Sequence, residues 1–331
     1  MKTLHESGKW RGAGSAGDIG KQHLREAARP AVHQSAYKSA IRKGQNPERK
    51  PLTLEERNGY LKNAIDSLAY LESLKKGPHG MLVEGPNEPE HTNLSASGAL
   101  LYSMMSDHYG RAGNISREEE LFRKSLELFE AIKKHVPVDS DGQFTRGPGE
   151  CDKSTISSLP VSILAMRLGD AETAAGQAFK EDTHKRWSTK DGRTGSLYLS
   201  DTDVKQENPR TFVNALKGIQ DFMNGERELA AVQYALIDAF VPKKYGVHTV
   251  YAEMAGENYG RRDIEDLIVT PEVTYAVAIL GICVRGAEYA EDYCKKAMEL
   301  GNENAHARIL SGIMTAMLSG IRLRRFRQAR T

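Results

Sequence analysis

Helical periodicity is the feature that most constrains how this chain can fold. Apolar residues recur at the three- and four-residue spacing of a helix face, as at Leu61, Leu68 and Leu71. Short turns rich in Gly, Pro or Asn separate the periodic stretches, and the alternation typical of strands is nearly absent. We therefore predict an all-α protein with a compact multi-helix body of consecutive antiparallel helical hairpins.

The spacing also predicts where individual helices begin and end. The expected helices cover about residues 54–76, 94–111, 116–135, 154–168, 170–190, 208–224, 226–240, 271–285, 287–300 and 302–321. Thr53 with Glu56 has the pattern of a capping box, and Ser116 with Glu119 predicts the start of the third helix. A short strand is possible at residues 197–199.

Composition excludes several classes of protein. Hydrophobic residues make up 39% of the 331 residues, which is enough for a core and rules out a wholly disordered chain. No apolar run is long enough to cross a bilayer, so we expect no membrane partner. The first 30 residues lack the apolar core of a secretory signal, and Cys151, Cys283 and Cys294 are too scattered for a disulfide framework. We therefore expect a location in the cytoplasm or within a particle.

Charge is distributed unevenly along the chain. Residues 1–50 contain 11 Lys and Arg against 4 Asp and Glu, and residues 321–331 contain 5 Arg and no acid. The formal net charge of the whole chain is only +2, so the middle is acidic. This asymmetry predicts three regions: a basic, partly extended arm at 1–53, a helical domain at 54–320 and an Arg-rich tail at 321–331.

Two kinds of partner suit cationic ends. One is the phosphate backbone of RNA or DNA, and the other is the acidic middle of another copy of the chain. We therefore expect a structural, self-assembling protein of coat or nucleoprotein type that binds nucleic acid without sequence preference. The residues expected to neutralise phosphates are Lys38, Arg42, Lys43, Arg322, Arg324, Arg325, Arg327 and Arg330. Ordinary solvated termini are the alternative explanation of this charge.

A second hypothesis is enzymatic. The stretch 95–113, with Tyr102, His108, Tyr109 and Arg111, resembles a hairpin of the α/α-toroid carbohydrate lyases and hydrolases. That resemblance implies a Tyr or His as acid or base and an Arg that neutralises a uronate carboxylate. A deep polar cleft would favour this hypothesis, and a filled apolar centre would oppose it. A helical interaction module without catalysis is the third possibility.

Glycine-rich motifs give little support to a nucleotide site. Residues 12–17 match G-x-G-x-x-G, but no buried strand precedes them, as a dinucleotide site requires. Residues 147–154 approach a phosphate-binding loop, but Asp152 replaces the second glycine and would repel phosphate. We therefore predict no cofactor.

Metal and catalytic patterns are also incomplete. The acids from Asp139 to Glu150 resemble a calcium loop, but Phe144 stands where the sharp turn needs glycine. The histidines expected in loops, His79, His91 and His248, are candidate bases with no nucleophile that the sequence can pair with them. We therefore predict no metal site and no catalytic residue. The sequence does not show whether these histidines and Tyr102 come together in a cleft, because that depends on how the helices pack.

Overall fold

The computed structural model of the chain describes residues 50–85, 87–150, 155–180, 186–188, 194–198, 211–241, 243–251, 267–300 and 304–324. Ten helices lie in these residues: α1 Leu54–Ser73, α2 Thr92–Arg111, α3 Ile115–His135, α4 Thr155–Leu168, α5 Ala171–Gly176, α6 Thr211–Met223, α7 Arg227–Phe240, α8 Pro271–Arg285, α9 Ala287–Glu299 and α10 Ala305–Leu318. The prediction of a mainly helical, all-α protein is confirmed.

Six short strands also lie in this described part of the chain. They are β1 Arg186–Ser188, β2 Thr194–Tyr198, β3 Lys243–Lys244, β4 Val247–His248, β5 Val250–Tyr251 and β6 Leu267–Ile268. They form three separate antiparallel pairs, β1 with β2, β3 with β4 and β5 with β6. Each pair is too small to have a hydrophobic face of its own, so the helices carry the core.

Five of the helices form a closed ring. In cyclic order α2 packs against α4, α4 against α6, α6 against α8, α8 against α10, and α10 against α2. The remaining five pack outside the ring: α1 on α10, α3 on α2, α5 on α4, α7 on α6 and α9 on α8. Inner and outer helices therefore alternate along the sequence.

Sequence patterning accounts for this division. Residues 92–106 of α2 are buried without a break except at Asn93, so this helix has almost no solvent-facing side. In α3, by contrast, the buried residues form one stripe that includes Leu121, Leu128 and Ile132, and the rest of the helix is at least partly exposed. A helix that is apolar on all sides belongs in the interior, whereas an amphipathic helix packs with one face inward.

The inner helices point in one direction. His306 in the first turn of α10 contacts Phe212 in the first turn of α6, with 6.2 Å between ring centroids. At the other extreme, Arg167 in the last turn of α4 is 2.8 Å from Asp107 in the last turns of α2. We call these the N-terminal end and the C-terminal end of the ring.

Two local predictions were wrong. The helix expected over 170–190 ends at Gly176, and residues 186–188 form strand β1 instead. The side chain of Gln177, at the end of α5, binds the carbonyl of Gly142 and the backbone N–H of Phe144, which ties this point of the chain to a loop. The third helix begins at Ile115 rather than at Ser116, because Asn114 supplies the N-cap.

The capping box at the start of α1 is confirmed. The Thr53 hydroxyl accepts a hydrogen bond from the Glu56 backbone N–H, and the Glu56 carboxylate accepts one from the Thr53 backbone N–H. Two donors that the helix leaves unpaired are thereby satisfied.

Candidate functional site

Most of the predicted phosphate-binding residues lie outside the described residues. This is the case for Lys38, Arg42, Lys43, Arg325, Arg327 and Arg330. Arg322 and Arg324 are described, and both side chains are exposed to solvent. The described part of the predicted tail is therefore residues 321–324.

The 321–324 segment has one buried and one exposed set of side chains. Ile321 and Leu323 are 5% and 4% exposed and belong to the hydrophobic core. They alternate with Arg322 and Arg324, so the same backbone that buries two apolar side chains presents two guanidinium groups to solvent. The first four residues of the predicted tail are thus packed against the helical body.

A turn at the end of α10 sets the direction of this segment. The Ile321 N–H donates to the Ala316 carbonyl and the Gly320 N–H to the Met317 carbonyl, which is the Schellman arrangement. Gly320 has a φ of +103°, a value that residues with a side chain rarely adopt. The chain therefore turns back across the C-terminal end of the ring.

Arg167 holds the segment in place. Its guanidinium donates to the Arg324 carbonyl at 2.6 Å, to the Ser103 hydroxyl at 3.0 Å and to the Ser103 carbonyl at 2.9 Å, and forms an ion pair with Asp107. The Arg167 side chain is fully buried. Burial lowers the pKa of Arg167, whereas the Asp107 carboxylate acts in the opposite direction.

Further arginines lie around the same end. Arg111 and Arg324 both act electrostatically on Arg167, so all three are close together. A side chain at Gly320 would meet the Arg57 guanidinium at 3.1 Å. We call Arg57, Arg111, Arg322 and Arg324 the basic surface. Among the described residues, Arg322 and Arg324 form no ion pair, so their charges are available to an external anion.

The N-terminal end of the ring contains a different arrangement. The Ser97 hydroxyl of α2 lies 3.1 Å from Nε2 of His306 on α10, and both residues are buried. Glu272 in the first turn of α8 and His91 before α2 act electrostatically on His306. Asn304 donates a hydrogen bond to the Glu272 carboxylate, which fixes that acid at the start of α8. Because Phe212 of α6 also contacts its ring, four inner helices meet at His306.

The charge state of His306 follows from its burial. Burial lowers its pKa to about 4, and His91 acts in the same direction while Glu272 opposes it. The imidazole is therefore neutral at pH 7. A neutral imidazole has one donor and one acceptor nitrogen, so it can either accept from or donate to Ser97.

A cavity occupies the centre of the ring. Every inner helix contributes apolar side chains to its wall, including Leu100, Ile163, Leu216, Ile279 and Ile313. Leu323 also lines the cavity, and Ser97 is the polar side chain of its wall. The centre of the ring is therefore apolar, and it contains none of the residues on which the enzymatic hypothesis depended.

Those residues lie elsewhere. Tyr102 is buried beneath Lys124, whose Nζ is 5.8 Å from the ring centroid, and burial raises the pKa of Tyr102. His108 is half-buried and lies edge-on to Tyr109 at 5.2 Å, and Arg111 is 3.8 Å from Asp107. They do not form a shared polar cleft.

The candidate bases also occupy separate environments. His79 binds the buried Glu90 carboxylate, and its ring lies 5.0 Å from the ring of His135 at an angle of 48°. His248 on β4 is fully buried, and its Nδ1 is 3.0 Å from the Tyr293 hydroxyl. Burial lowers the pKa of His248. His91 is the loop histidine that lies near the central cavity, through its interaction with His306.

The glycine and calcium-like motifs either have other roles or lie outside the described residues. Residues 12–17 and 151–154 lie outside the described residues. A Cβ at Gly147 would come within 2.3 Å of the Glu90 carbonyl, so this glycine permits a close backbone approach. Asp139 Oδ1 accepts from the backbone N–H groups of Asp141 and Gln143, as in an ordinary turn. Within the described ranges, no group of three or more His, Cys, Asp or Glu could hold a metal ion.

Comparisons with known proteins do not assign the chain to a family. No protein-family model matches the sequence, and no curated protein matches it either. None of the described helices is both long enough and apolar enough to cross a membrane.

Proposed function

We propose that the protein binds the phosphate backbone of nucleic acid through its basic surface, without sequence preference. The observation that carries this proposal is the 321–324 segment, which exposes Arg322 and Arg324 while Ile321 and Leu323 anchor its backbone. The proposal also includes the predicted arrangement of the chain. In it, antiparallel helical hairpins form the body, and the basic arm and tail add positive charge beside the basic surface.

Arginine chemistry supports a phosphate partner. The planar guanidinium presents a fork of donors that matches two phosphate oxygens, and it keeps its charge at any physiological pH. Each contact with the backbone releases condensed counterions, which favours binding at low salt. Because the backbone of residues 321–324 is already fixed, less conformational entropy is lost when Arg322 and Arg324 bind.

The helix dipoles do not account for these two arginines. Cations near helix C-termini are favourable within the last turn, and Arg111 satisfies that condition in α2. Arg322 and Arg324 follow the end of α10 by four and six residues. Their exposure is better explained by an external anion.

The test is a titration of the full chain with a fluorescent single-stranded RNA and a DNA duplex at several salt concentrations. The charge-removing variant is R322Q/R324Q. Its matched control is K75Q/R146Q, which removes two exposed cations near the N-terminal end, where the Arg146 carbonyl accepts from the Thr92 N–H. We expect the first variant to reduce the slope of log affinity against log salt by about two, and the control to leave it unchanged.

Two results would contradict the proposal. One is the absence of binding to either nucleic acid at low salt. The other is an equal loss of affinity in both variants, since this would mean that net charge matters and the basic surface does not.

The second part of the proposal is that copies of the chain assemble with one another. A coat or nucleoprotein function requires copies of the chain to associate, with the basic ends on nucleic acid or on the acidic middle of a neighbour. Light scattering at low and high salt, with and without RNA, tests this part. We expect large assemblies with RNA at low salt, and a monomer under all conditions would leave a nucleic-acid-binding protein that does not assemble.

The apolar centre of the ring supports this proposal over a polysaccharide lyase or hydrolase. Sugar chemistry needs polar and aromatic groups around the substrate, whereas Leu100, Ile163 and Ile313 are among the residues of the central wall. Tyr102 and Arg111, which the toroid resemblance put forward, lie away from that wall.

A further inference from the structure

A pair of histidines lies where the loop before α2 meets the end of α3. His79 is in the loop between α1 and α2, and His135 is the last residue of α3. Their ring centroids are 5.0 Å apart and the ring planes are inclined at 48°, so the rings are not stacked face to face. Among the described residues, the ring of His135 forms no hydrogen bond.

A buried carboxylate fixes the orientation of His79. Glu90 Oε2 is 2.5 Å from His79 Nδ1, and Glu90 Oε1 accepts from the backbone N–H groups of His79 and Met81 at 3.1 and 3.0 Å. The Glu90 side chain is only 5% exposed, and within the described ranges it has no Lys or Arg partner. Three donors from the loop therefore compensate for the burial of this acid, and one of them is the His79 imidazole.

The bond to Glu90 also determines which ring nitrogen of His79 can act as a ligand. An ionised carboxylate only accepts hydrogen bonds, so His79 Nδ1 carries the proton. In the neutral imidazole the lone pair is then on Nε2. The His79 side chain is 42% exposed, so a dissolved ion can approach the ring from solvent.

We propose that His79 and His135 bind one divalent transition-metal ion, such as Zn²⁺ or Cu²⁺, and that Glu90 holds His79 in the orientation that binds it. No group of three or more possible ligands occurs in the described part of the chain, so the protein supplies two ligands and water supplies the others. The pair shares no residue with the basic surface, so this site does not depend on nucleic-acid binding.

The separation of the two rings fits two ligands of one ion. A zinc–imidazole bond is about 2.1 Å long, so two imidazoles at tetrahedral positions place their ring centroids about 5 Å apart. The 5.0 Å between His79 and His135 agrees with this value. Rotation about each metal–nitrogen bond leaves the angle between the ring planes free, so the inclination of 48° is compatible with binding to one ion.

The surroundings of the two rings favour a transition metal. A metal-binding histidine commonly donates its other N–H to a carboxylate, which makes the ligating nitrogen more basic, and Glu90 occupies that place on His79. Imidazole suits Zn²⁺ and Cu²⁺, whereas Mg²⁺ and Ca²⁺ prefer oxygen ligands. His135 ends α3, and the carbonyl groups at a helix C-terminus favour a nearby cation.

The backbone holds the two ligands close together without a metal. Gly80 follows His79, and a Cβ at Gly80 would lie 3.8 Å from the Cβ of Ala131, one turn before His135. The Gly80 N–H donates to the Gly77 carbonyl at 3.0 Å, and its φ of +83° suits glycine. Because this turn fixes His79 beside the last turn of α3, less conformational entropy is lost when an ion binds.

The test is a calorimetric titration of the full chain with ZnCl₂, CuCl₂ and MgCl₂. We expect Cu²⁺ to bind more tightly than Zn²⁺, and Mg²⁺ not to bind at the pair. H79Q and H135Q each remove one ligand, and both should bind Zn²⁺ more weakly by about tenfold or more, since a lost ligand costs at least as much as a lost outer partner. The matched control is H108Q, which removes a half-buried histidine near the end of α2 and should keep the wild-type affinity.

Two further measurements locate the site. Nitrogen-15 NMR of the imidazoles should show that Zn²⁺ shifts Nε2 of His79 and one ring nitrogen of His135. E90Q keeps both ligands but removes the carboxylate, and we expect it to bind Zn²⁺ about tenfold more weakly. Zn²⁺ should also raise the midpoint of thermal unfolding of the wild type and of H108Q, but not of H135Q. Should E90Q fail to fold, the comparison of H135Q with H108Q decides alone, because His135 is a partly exposed residue at a helix end.

The proposal is overturned if the wild-type protein binds neither Zn²⁺ nor Cu²⁺, or if H135Q binds Zn²⁺ as tightly as H108Q does. It is also overturned if Zn²⁺ leaves the signals of His79 and His135 unshifted, because other groups would then hold the ion. In those cases the bond between Glu90 and His79 serves only to fix the loop before α2. A folded E90Q with wild-type affinity would overturn the role given to Glu90.

Discussion

The two ends of the ring are built from the same inner helices but have opposite chemistry. At the C-terminal end, the buried Arg167 forms an ion pair and several hydrogen bonds, and the 321–324 segment exposes two arginines. At the N-terminal end, the neutral pair of Ser97 and His306 lies beside an apolar cavity. The C-terminal end is organised around buried and exposed arginines, and the N-terminal end around a neutral serine–histidine pair.

This contrast shows how one set of parallel helices can hold two kinds of site. The C-terminal ends of the helices carry partial negative charge and favour arginines, some buried and some exposed. A helix N-terminus has the opposite polarity and favours neutral or anionic groups, as with Glu272 in the first turn of α8. The direction of the helices therefore favours cations at the C-terminal end and neutral or anionic groups at the N-terminal end.

The largest expected effect concerns Arg167. Replacing it in R167M leaves Asp107 and the carbonyls of Ser103 and Arg324 without their buried partner. We expect a loss of about 3 kcal/mol or more in the free energy of unfolding, measured in urea, because a buried charge pair is costly to break on one side.

The control for this prediction is R111M at the same end. The Arg111 side chain is 48% exposed and 3.8 Å from Asp107, so its loss should cost less than about 1 kcal/mol. Equal effects of R167M and R111M would mean that burial of Arg167 does not distinguish it from a surface arginine.

The next largest effect concerns the free energy of unfolding as a function of pH, to which His306 at the N-terminal end contributes. Unfolded His306 takes up a proton near its ordinary pKa of 6.5, whereas folded His306 does so only near 4. The unfolded state therefore binds more protons between these values, and stability falls as the pH drops from 6.5 to 4. This group alone should reduce the free energy of unfolding by about 3 kcal/mol between pH 7 and pH 4.

The variant H306Q isolates this contribution, because glutamine can still hydrogen-bond to Ser97 but does not titrate. Urea unfolding of both proteins between pH 7 and pH 4 gives the comparison. Glu272 and His91 are present in both proteins, so the comparison changes the side chain at position 306 alone. If the two proteins lose stability in parallel, His306 is not buried in its neutral form.

The smallest effect concerns the cap of α1, which begins beside the C-terminal end, near Gly320. T53A removes the hydroxyl that caps the helix, and we expect a loss of about 1 kcal/mol in urea unfolding. T53S keeps the hydroxyl and should unfold like the wild type. A loss as large in T53S as in T53A would assign the effect to the methyl group of Thr53.

Local sequence patterns predicted the elements better than the sites. The stripe of Leu121, Leu128 and Ile132 and the capping box at Thr53 depend on residues three to seven positions apart, and both are present as predicted. The helix expected over 170–190 was wrong because Gln177 binds the loop at Gly142 and Phe144, a contact across more than thirty residues. No local pattern signals such a contact.

Contacts between distant residues also explain why the sequence predicted one candidate site and missed the other. The exposed charge of Arg322 and Arg324 was visible in the sequence, because an excess of arginine is a property of composition. Ser97 and His306 are 209 positions apart, and each looked like an ordinary residue of a helix. A weak signal existed in the unusual placement of a histidine within the apolar stretch of α10, but nothing indicated its partner.

The sequence by itself determined that this chain is helical, where most helices begin and end, and that its ends are basic. These are consequences of periodicity, capping and composition, which act over a few residues. The tertiary structure decided that five helices close into a ring, that Arg167 fixes the 321–324 segment, and that Ser97 meets His306. Burial and long-range contact create those features, because they depend on which distant side chains share an interior that excludes water.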